Sequence, residues 1–279
     1  MQIDEKEIGR IIALALIEDI GEDDITSTIT IPEDSQAKFA IRARDELVVC
    51  GTEIAASVFS YILNKGTVTV EIKMNDGAIA KAGDTLITGY GNARCIMAAE
   101  RVALNLLRQM CGVATITKKF VGEIKDTKAK LLDTRKTIPG LRSLQKYAVT
   151  IGGGHNHRFG LYDGILIKDN HIAICGGVEE ALRMARHNAP NAKIEIECDA
   201  IYQVKEAVKF GADIILLDNM SIAEMKEAIG IVDNKILLEA SGGVSLQNIR
   251  SIANTGVDFI SVGSITNNPA NVDIGLDME

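Results

Sequence analysis

The sequence predicts an α/β protein in two parts. These are an N-terminal α+β domain, with helices on a small antiparallel sheet, and a C-terminal α/β barrel of about six parallel strands, complete or partly open. At 279 residues the chain exceeds most single small cores. Hydrophobic residues make up 47% and aromatic residues only 4%, which suits a sheet-and-helix core rich in aliphatic side chains. In the second half, short apolar runs alternate with helical segments, as in parallel βαβ units.

The N-terminal part begins with EKEIGRIIALALIEDIG, whose apolar residues recur at helical spacing and stop at Gly21. The segments AKFAIRARDELVVCG and GTVTVEIKMNDGAIAKAGDTLITGYG alternate like strands and contain turn signals. A long helical stretch, ARCIMAAERVALNLLRQMCGVATITKKFVGEI, follows, and a break near Cys111 and Gly112 is one interpretation of it. We predict an N-terminal domain at 1–108, the barrel at 109–266, and a tail at 267–279 that returns to the first domain.

The predicted barrel strands end in polar residues. The runs are AKLLDT, DGILIKDN, AKIEIECD, ADIILLDN, KILLEASGG and DFISVGS. The residues expected at their carboxyl ends are Asp133, Lys168, Glu197, Asp218, Glu239 and 241–243. Active sites of α/β barrels form at this rim, so the sequence predicts a functional site there. For any single residue, an ordinary solvent-exposed strand end is the alternative.

Basic residues are concentrated in one segment of an otherwise acidic chain. The formal net charge is −8, yet Asp and Glu are absent between Thr134 and Tyr162. The basic residues of that segment are Arg135, Lys136, Arg142, Lys146 and Arg158. The acidic balance argues against general binding of nucleic acid or membranes, so these residues are expected to bind a local anion. Guanidinium and ammonium groups together suit a substrate with more than one carboxylate.

Acidic residues occupy the other side of the predicted rim. Glu197 and Asp218 follow the next two strands, where they suit a magnesium ion or a developing positive charge. The glycine-rich tips SGG and VGS offer backbone N–H groups to phosphate. P-loop and Rossmann patterns are absent from the sequence, which disfavours nucleotide hydrolysis and hydride transfer.

The sequence also predicts the cellular compartment. There is no apolar run of membrane-spanning length, and the first ten residues carry acids where a signal peptide is basic, so a cytoplasmic protein is expected.

Two alternative functions are open at this point. His155, His157 and His171 could bind a metal in a barrel hydrolase. Lys73, which precedes Met74 near a turn, could be the attachment site of a biotinyl or lipoyl carrier.

Seven motifs resemble those of one family. They are ERVALNLL, LLDTRKTIPGLRSLQKYAV, GGGHNHRFGLYDGILIKDNHI, IEIECD, ILLDNM, LEASGGV and FISVGSIT. In this order they resemble quinolinate phosphoribosyltransferase, the decarboxylating nicotinate-nucleotide pyrophosphorylase. The resemblance implies a pentosyltransferase of NAD biosynthesis that uses magnesium. It would convert quinolinate and phosphoribosyl pyrophosphate to nicotinate mononucleotide, pyrophosphate and carbon dioxide. A paralogue from molybdate-transport operons shares the fold and much of the motif set, and stays an alternative.

The resemblance also implies roles for individual residues. Quinolinate would be bound by Arg101, Thr134, Arg135, Lys136, His157, Arg158 and Lys168, with Arg101 supplied by the other subunit of a homodimer. Catalysis would rest on Lys136, Lys168, Glu197 and Asp218. Glu197 and Asp218 would also hold the ribose hydroxyls and magnesium. The site for the phosphoribosyl group and its phosphates would comprise those two residues together with Ser241, Gly242, Gly243, Val262, Gly263 and Ser264.

Overall fold

The structure is a computed structural model that describes residues 3–62 and 67–279. The chain divides into two compact units. The first unit comprises Met1–Lys118, Thr137–Gly153 and Ile265–Glu279, and the second comprises Lys119–Lys136 and Gly154–Ser264. The domain limits expected from the sequence stay predictions.

The described residues form the following elements. The helices are α1 (Glu5–Ile20), α2 (Ile25–Thr30), α3 (Thr52–Ser60), α4 (Ala93–Ile124), α5 (Arg142–Ile151), α6 (Asp169–Cys175), α7 (Val178–Asn188), α8 (Ile201–Lys209), α9 (Ile222–Val232), α10 (Ile249–Ala253) and α11 (Ser264–Asn267). The strands are β1 (Gln36–Ala43), β2 (Leu47–Val48), β3 (Val68–Ile72), β4 (Ile79–Ala80), β5 (Thr85–Asn92), β6 (Lys130–Leu132), β7 (Ile165–Ile167), β8 (Ile194–Cys198), β9 (Ile214–Asp218), β10 (Leu237–Ser241), β11 (Phe259–Ser261) and β12 (Ile274–Met278).

The first unit is built on an antiparallel sheet of strand order β12-β1-β5-β3. Alternation along β1 and β5 turns one face inward, where Phe39, Ile41 and Ile87 are buried. The Phe39 ring stacks on Phe59 of α3, with ring centroids 4.8 Å apart. This unit confirms the predicted combination of helices with a small antiparallel sheet.

Helix α4 runs unbroken through 32 residues, so the interpretation with a break near Cys111 and Gly112 is wrong. A glycine inside a helix costs about 1 kcal/mol relative to alanine, which suggested a boundary. In the structure, Gly112 allows another backbone segment to approach the helix closely. A Cβ at this position would overlap the backbone carbonyl oxygen of Ala270, in the C-terminal segment of the same unit. Glycine is therefore required by the close approach of that backbone to the helix.

The second unit is the predicted barrel. Its six strands are all parallel and follow the order β6-β11-β10-β9-β8-β7, so β6 and β7 are the edges of the sheet. His155 pairs beside Leu132 of β6 in a single parallel bridge. Nearby, the Arg158 Nη1 donates to the Gly164 carbonyl oxygen at 3.0 Å, immediately before β7. The barrel is open in its strand pairing, and a side chain spans from the His155 segment to β7.

Side chains two residues apart on a strand share one face, which sorts the barrel interior into layers. On β8 this puts Glu195 below Glu197, and on β10 it puts Glu239 below Ser241. The sequence placed Glu239 at a strand end. It is instead the third residue of β10 and only 2% exposed, one layer below the rim.

Among residues 3–62 and 67–279, no helix is both long enough and apolar enough to cross a lipid bilayer.

The role given to Gly112 predicts opposite effects for two alanine substitutions in α4. Gly122→Ala meets no atom within 4 Å, so its helix propensity should raise the free energy of unfolding by up to about 1 kcal/mol. Gly112→Ala should lower it by about 1–3 kcal/mol, because the methyl group collides with backbone. Chemical denaturation of both variants under one set of conditions checks this. Equal stabilisation by both substitutions would contradict the close approach.

Candidate active site

A cavity of about 490 Å³ lies at the carboxyl ends of the barrel strands. It is lined by Thr134, Arg135, Lys136, His157, Arg158, Leu166, Lys168, Glu197, Leu216, Asp218, Asn219, Glu239, Ser241, Gly242, Gly243 and Ser261. Most of the site residues expected in this part of the chain thus border one space. Their individual roles stay predictions.

The cationic side of the cavity follows β6. Thr134 Oγ1 accepts a hydrogen bond from the Lys136 backbone N–H at 3.0 Å, which fixes the turn that leaves the strand. Burial, followed by the positive charge of Arg135, lowers the pKa of Arg158. Two guanidinium groups that disfavour each other's charge are stabilised by an anion between them. This side of the cavity is therefore suited to a carboxylate or phosphate.

The acidic side of the cavity contains one cation as well. Lys168, which directly follows β7, forms an ion pair with Glu197 of β8. Asp218 ends β9, and its Oδ2 accepts a hydrogen bond from the Asn219 side-chain amide at 2.8 Å. Lys168 therefore connects the cationic side to the two carboxylates that were expected to hold ribose and magnesium.

The glycine tip after β10 has the backbone shape that only glycine tolerates well. Gly242 has a φ of +88°, and a Cβ there would overlap the side-chain amide of Asn219. Gly243 has a φ of +60°. The Asn219 backbone N–H donates to the Ser241 carbonyl oxygen at 2.9 Å and so ties the β9 tip to the β10 tip. The two tips form one fixed backbone wall of the cavity.

Four of the expected site residues do not line the cavity. Arg101 lies in α4 of the first unit, where its side chain is 54% exposed and its Nη2 is 3.3 Å from Glu100 Oε1. Val262 is buried, and its N–H donates to the Leu132 carbonyl oxygen at 3.0 Å. Gly263 leaves room for the Lys136 stem, whose Cδ lies 2.8 Å from the position that a Cβ would take. Ser264 begins α11.

Two carboxylates lie below the rim beside His157. The His157 Nε2 is 3.1 Å from Glu195 Oε2 and 3.5 Å from Glu239 Oε2. Glu195 was not singled out in the sequence, although the pattern IEIEC puts it on the same strand face as Glu197. That alternation is the signal that could have found it.

Hydrogen bonds fix the orientation of the His157 ring. Its Nδ1 accepts the Arg158 backbone N–H at 2.7 Å, and its Nε2 faces the two carboxylates. Its own backbone N–H donates to Asp133 Oδ1 at 2.9 Å, which gives Asp133, fully buried after β6, a structural role.

The arrangement does not support the metal-hydrolase interpretation. In the described part of the chain, the grouping of three His, Cys, Asp or Glu ligand atoms within 4.8 Å is His157, Glu195 and Glu239. His155 and His171 are not part of this grouping, so the three histidines do not meet at one point. His171 Nδ1 accepts the Lys168 backbone N–H at 2.9 Å. The histidines thus orient backbone rather than converge on an ion.

One proton is shared within the buried acidic pair. Burial, and then the negative charge of Glu195, raise the pKa of Glu239 from 4.5 to about 7, while His157 opposes the shift. Ser261 and Glu195 both share hydrogen bonds with its carboxyl group. Near neutral pH Glu239 therefore keeps a proton that an exposed glutamate would have lost.

This raised pKa predicts how stability depends on pH. Between pH 4.5 and about 7 the unfolded chain loses the Glu239 proton while the folded protein retains it, so stability falls as pH rises through this window. The loss contributed by this group is about 3 kcal/mol. Urea midpoints measured at pH 5 and pH 8 should therefore differ less for Glu239→Gln than for the wild type. Glu227→Gln, an exposed control on α9, should keep the wild-type difference. An unchanged difference in Glu239→Gln would contradict the shared proton.

Comparison with known proteins identifies the family. The model for the C-terminal domain of quinolinate phosphoribosyl transferase matches residues 113–277, and the model for its N-terminal domain matches residues 24–111. The nicotinate-nucleotide pyrophosphorylase [carboxylating] of Mycobacterium leprae is 42% identical over 258 residues, which is 91% of each chain.

Solved structures agree with this. The crystal structure of the nicotinate-nucleotide pyrophosphorylase from Ehrlichia chaffeensis matches with a TM-score of 0.94 and 47% identity, over 100% of both chains. The enzyme of the same name from Francisella tularensis matches with a TM-score of 0.93 and 38% identity, over 100% of this chain and 98% of that one. With both domain models matched and the fold shared, the chain belongs to the quinolinate phosphoribosyltransferase family.

Proposed function

We propose that this protein transfers phosphoribose from phosphoribosyl pyrophosphate to quinolinate and releases pyrophosphate and carbon dioxide, a step of NAD biosynthesis. The observation that carries the proposal is the division of one cavity into a cationic side and an acidic side, in a chain of this family. Quinolinate is a pyridine dicarboxylate, and its charge matches the cationic side.

Quinolinate would be held by the residues after β6 and beside β7. Arg135 and Arg158 would each take a carboxylate through paired N–H groups, and Lys136 would add a point charge. Burial, and then the charge of Arg135, lower the pKa of Arg158, and an anion there would oppose both effects. His157 Nδ1 accepts the Arg158 backbone N–H, so its contribution would be to orient Arg158.

Glu197 and Asp218 would stabilise the reacting ribose. As pyrophosphate leaves, positive charge develops at the anomeric carbon, and carboxylates in a partly dry cavity favour that charge. The same oxygens suit magnesium, which proteins commonly hold through one or two carboxylates together with substrate phosphates. Bound magnesium would neutralise charge on the leaving pyrophosphate. Lys168, paired with Glu197, would keep that carboxylate oriented and lie close to both substrates.

The phosphates would be bound largely by backbone. The tip Ser241–Gly243 is held in the conformation that exposes backbone groups to the cavity, and Ser241 adds a hydroxyl. Gly263 and Ser264 follow β11 and would extend this wall, whereas the Val262 N–H already donates to the Leu132 carbonyl oxygen. No covalent intermediate with the protein is needed, because the pyridine nitrogen attacks the ribose carbon directly.

Other functions have less support. Lys73 is an exposed residue that follows β3 and forms an ion pair with Glu71 at 2.6 Å, and the carrier function leaves the barrel cavity unexplained. The complete TRKTIPGLR and NHR motifs favour the proposed enzyme over the paralogue from molybdate-transport operons, and an activity assay separates the two. None of the five cysteines forms a disulfide, which fits the proposed cytoplasmic location.

The active form is proposed to be a homodimer. Large apolar side chains of α1 and α2 are exposed, with Leu14, Ile17, Ile25 and Ile29 between 61% and 76% accessible. Met97, 38% exposed, lies one turn before Arg101 on α4. A second subunit covering such apolar surface would also cover Arg101, which could then reach that subunit's cavity.

The activity predicts a simple substrate requirement. Purified protein should release labelled carbon dioxide from carboxyl-labelled quinolinate only when phosphoribosyl pyrophosphate and magnesium are both present. Chelation should abolish the release, and added magnesium should restore it. Turnover of nicotinate without turnover of quinolinate would instead indicate a non-decarboxylating enzyme, and no turnover of either would favour the paralogue.

The shared site predicts that Arg101→Ala acts on catalysis and spares stability. Loss of one charge-assisted contact to a substrate carboxylate costs about 1.5–3 kcal/mol, so kcat/KM for quinolinate should fall by about ten- to a hundredfold. Lys118→Ala, which removes an exposed charge from the same helix, is the matched control and should stay active. An exposed Arg101 paired only with Glu100 would contribute ~0–1 kcal/mol to stability and nothing to catalysis.

Subunit mixing makes the same prediction sharper. Arg101→Ala and Lys168→Ala subunits should each be nearly inactive as homodimers. If Arg101 acts across the interface, a mixed dimer contains one cavity with both residues intact, so activity should recover towards half of the wild-type value. If each cavity uses only its own chain, no mixture recovers, and the shared site is wrong.

A further inference from the structure

Two carboxylates occupy a place in the barrel interior where aliphatic side chains are usual. Glu195 is 7% exposed and Glu239 2%. The Oε1 atom of each is buried without a hydrogen-bond partner in the part of the chain that the structure describes. Burying such groups destabilises a fold, so their presence calls for a reason beyond packing.

The pair keeps a proton although it has cationic neighbours. His157 Nε2 lies 3.1 Å from Glu195 Oε2 and 3.5 Å from Glu239 Oε2, and the charge of Arg158 also acts on Glu195. Burial, and then the negative charge of Glu195, nevertheless raise the pKa of Glu239 to about 7.

The pair also lies between two cavities. Glu239 and His157 line the substrate cavity, and both also line a second cavity of about 290 Å³. The second cavity is bordered by Lys193, which directly precedes β8, and by Ile214 and Phe259, the first residues of β9 and β11. It therefore extends towards the amino ends of the strands, and the pair separates it from the substrate cavity.

The proposed reaction consumes one proton inside the substrate cavity. When the ribosylated pyridine loses its carboxylate, the electrons of the broken C–C bond remain on the ring carbon beside the positively charged nitrogen. That carbon must take up a proton to give the product. Resting on the function proposed above, we propose that Glu239 is the catalytic acid that protonates this carbon.

The step balances in atoms and charge. The ring-carbon electron pair forms the new C–H bond, the Glu239 O–H bond breaks, and its electrons stay on the carboxylate. Carbon dioxide leaves as a neutral molecule. Glu239 and Glu195 are then both charged, and their repulsion drives uptake of a proton from solvent before the next turnover.

A neutral acid suits this step better than the cations around it. Arg135, Arg158 and Lys136 stabilise a carboxylate as an anion, which opposes its departure as carbon dioxide. Lys168 is already paired with Glu197. Glu239 provides a proton without an ion pair to the leaving group, and it lies on the floor of the same cavity.

The test separates the two chemical steps in Glu239→Gln. In a single turnover with quinolinate, phosphoribosyl pyrophosphate and magnesium, pyrophosphate should form at close to the wild-type rate. Carbon dioxide should appear about a hundredfold more slowly, which is the lower end of typical general-acid effects. Mass spectrometry of quenched samples should detect the N-phosphoribosyl dicarboxylate that accumulates.

Two further variants serve as controls. Glu195→Gln keeps the acid on Glu239 and should release carbon dioxide faster than Glu239→Gln, whereas exposed Glu227→Gln should match the wild type. If Glu239→Gln does not fold, Glu239→Asp replaces it, and the shortened acid should again delay carbon dioxide relative to pyrophosphate.

Several results would overturn the assignment. Carbon dioxide that keeps pace with pyrophosphate in a folded Glu239 variant contradicts it, as does equal loss of both products. A larger delay in Glu195→Gln than in Glu239→Gln would move the role to Glu195. A wild-type protein that forms neither product contradicts the proposed function itself, which is a different outcome from these.

Discussion

The site depends on the parallel arrangement of the six strands from β6 through β11. Because all six strands run in one direction, their carboxyl ends meet at one rim, and alternation along each strand turns every second side chain inward. Lys168, Glu197, Asp218 and Ser241 therefore converge, although they are far apart in sequence. A shift of one residue in the pairing of β8 would turn Glu195 and Glu197 to the outer face. The same strand register therefore determines which apolar side chains are buried and which polar side chains face the cavity.

Polar and charged side chains occupy two successive layers of the barrel interior. The rim carries the cations and carboxylates proposed to bind the substrates. The layer beneath carries a buried acidic pair, where packing alone would favour aliphatic side chains. His157 connects the layers, because it orients Arg158 through Nδ1 and donates to Glu195 through Nε2. We infer that stability is given up in this layer to hold a proton near the substrate.

Much of this could be predicted from the sequence, for physical reasons. Strands and helices of the barrel follow from periodicity, and polar residues after apolar runs indicated the rim, so Arg135, Lys168, Glu197 and Asp218 were found. The predicted position of Glu239 at a strand end was wrong, because a sequence pattern alone does not fix the end of a strand to one residue. The sequence also left open a break in α4. The reason for Gly112 could not be seen there, because the Ala270 carbonyl that approaches it lies 158 positions away in the chain. Glu195 was overlooked because it resembles an outward-facing strand residue until the alternation with Glu197 is considered.

The central claim is that the cavity of the second unit binds a pyridine dicarboxylate between its cations and its buried acid. An experimental structure of the protein with quinolinate bound tests it most directly. The account predicts both carboxylates against Arg135, Arg158 and Lys136, with the ring carbon that bears the departing carboxylate facing Glu239. Quinolinate bound outside this cavity, or bound with that carbon turned away from Glu239, would contradict the account.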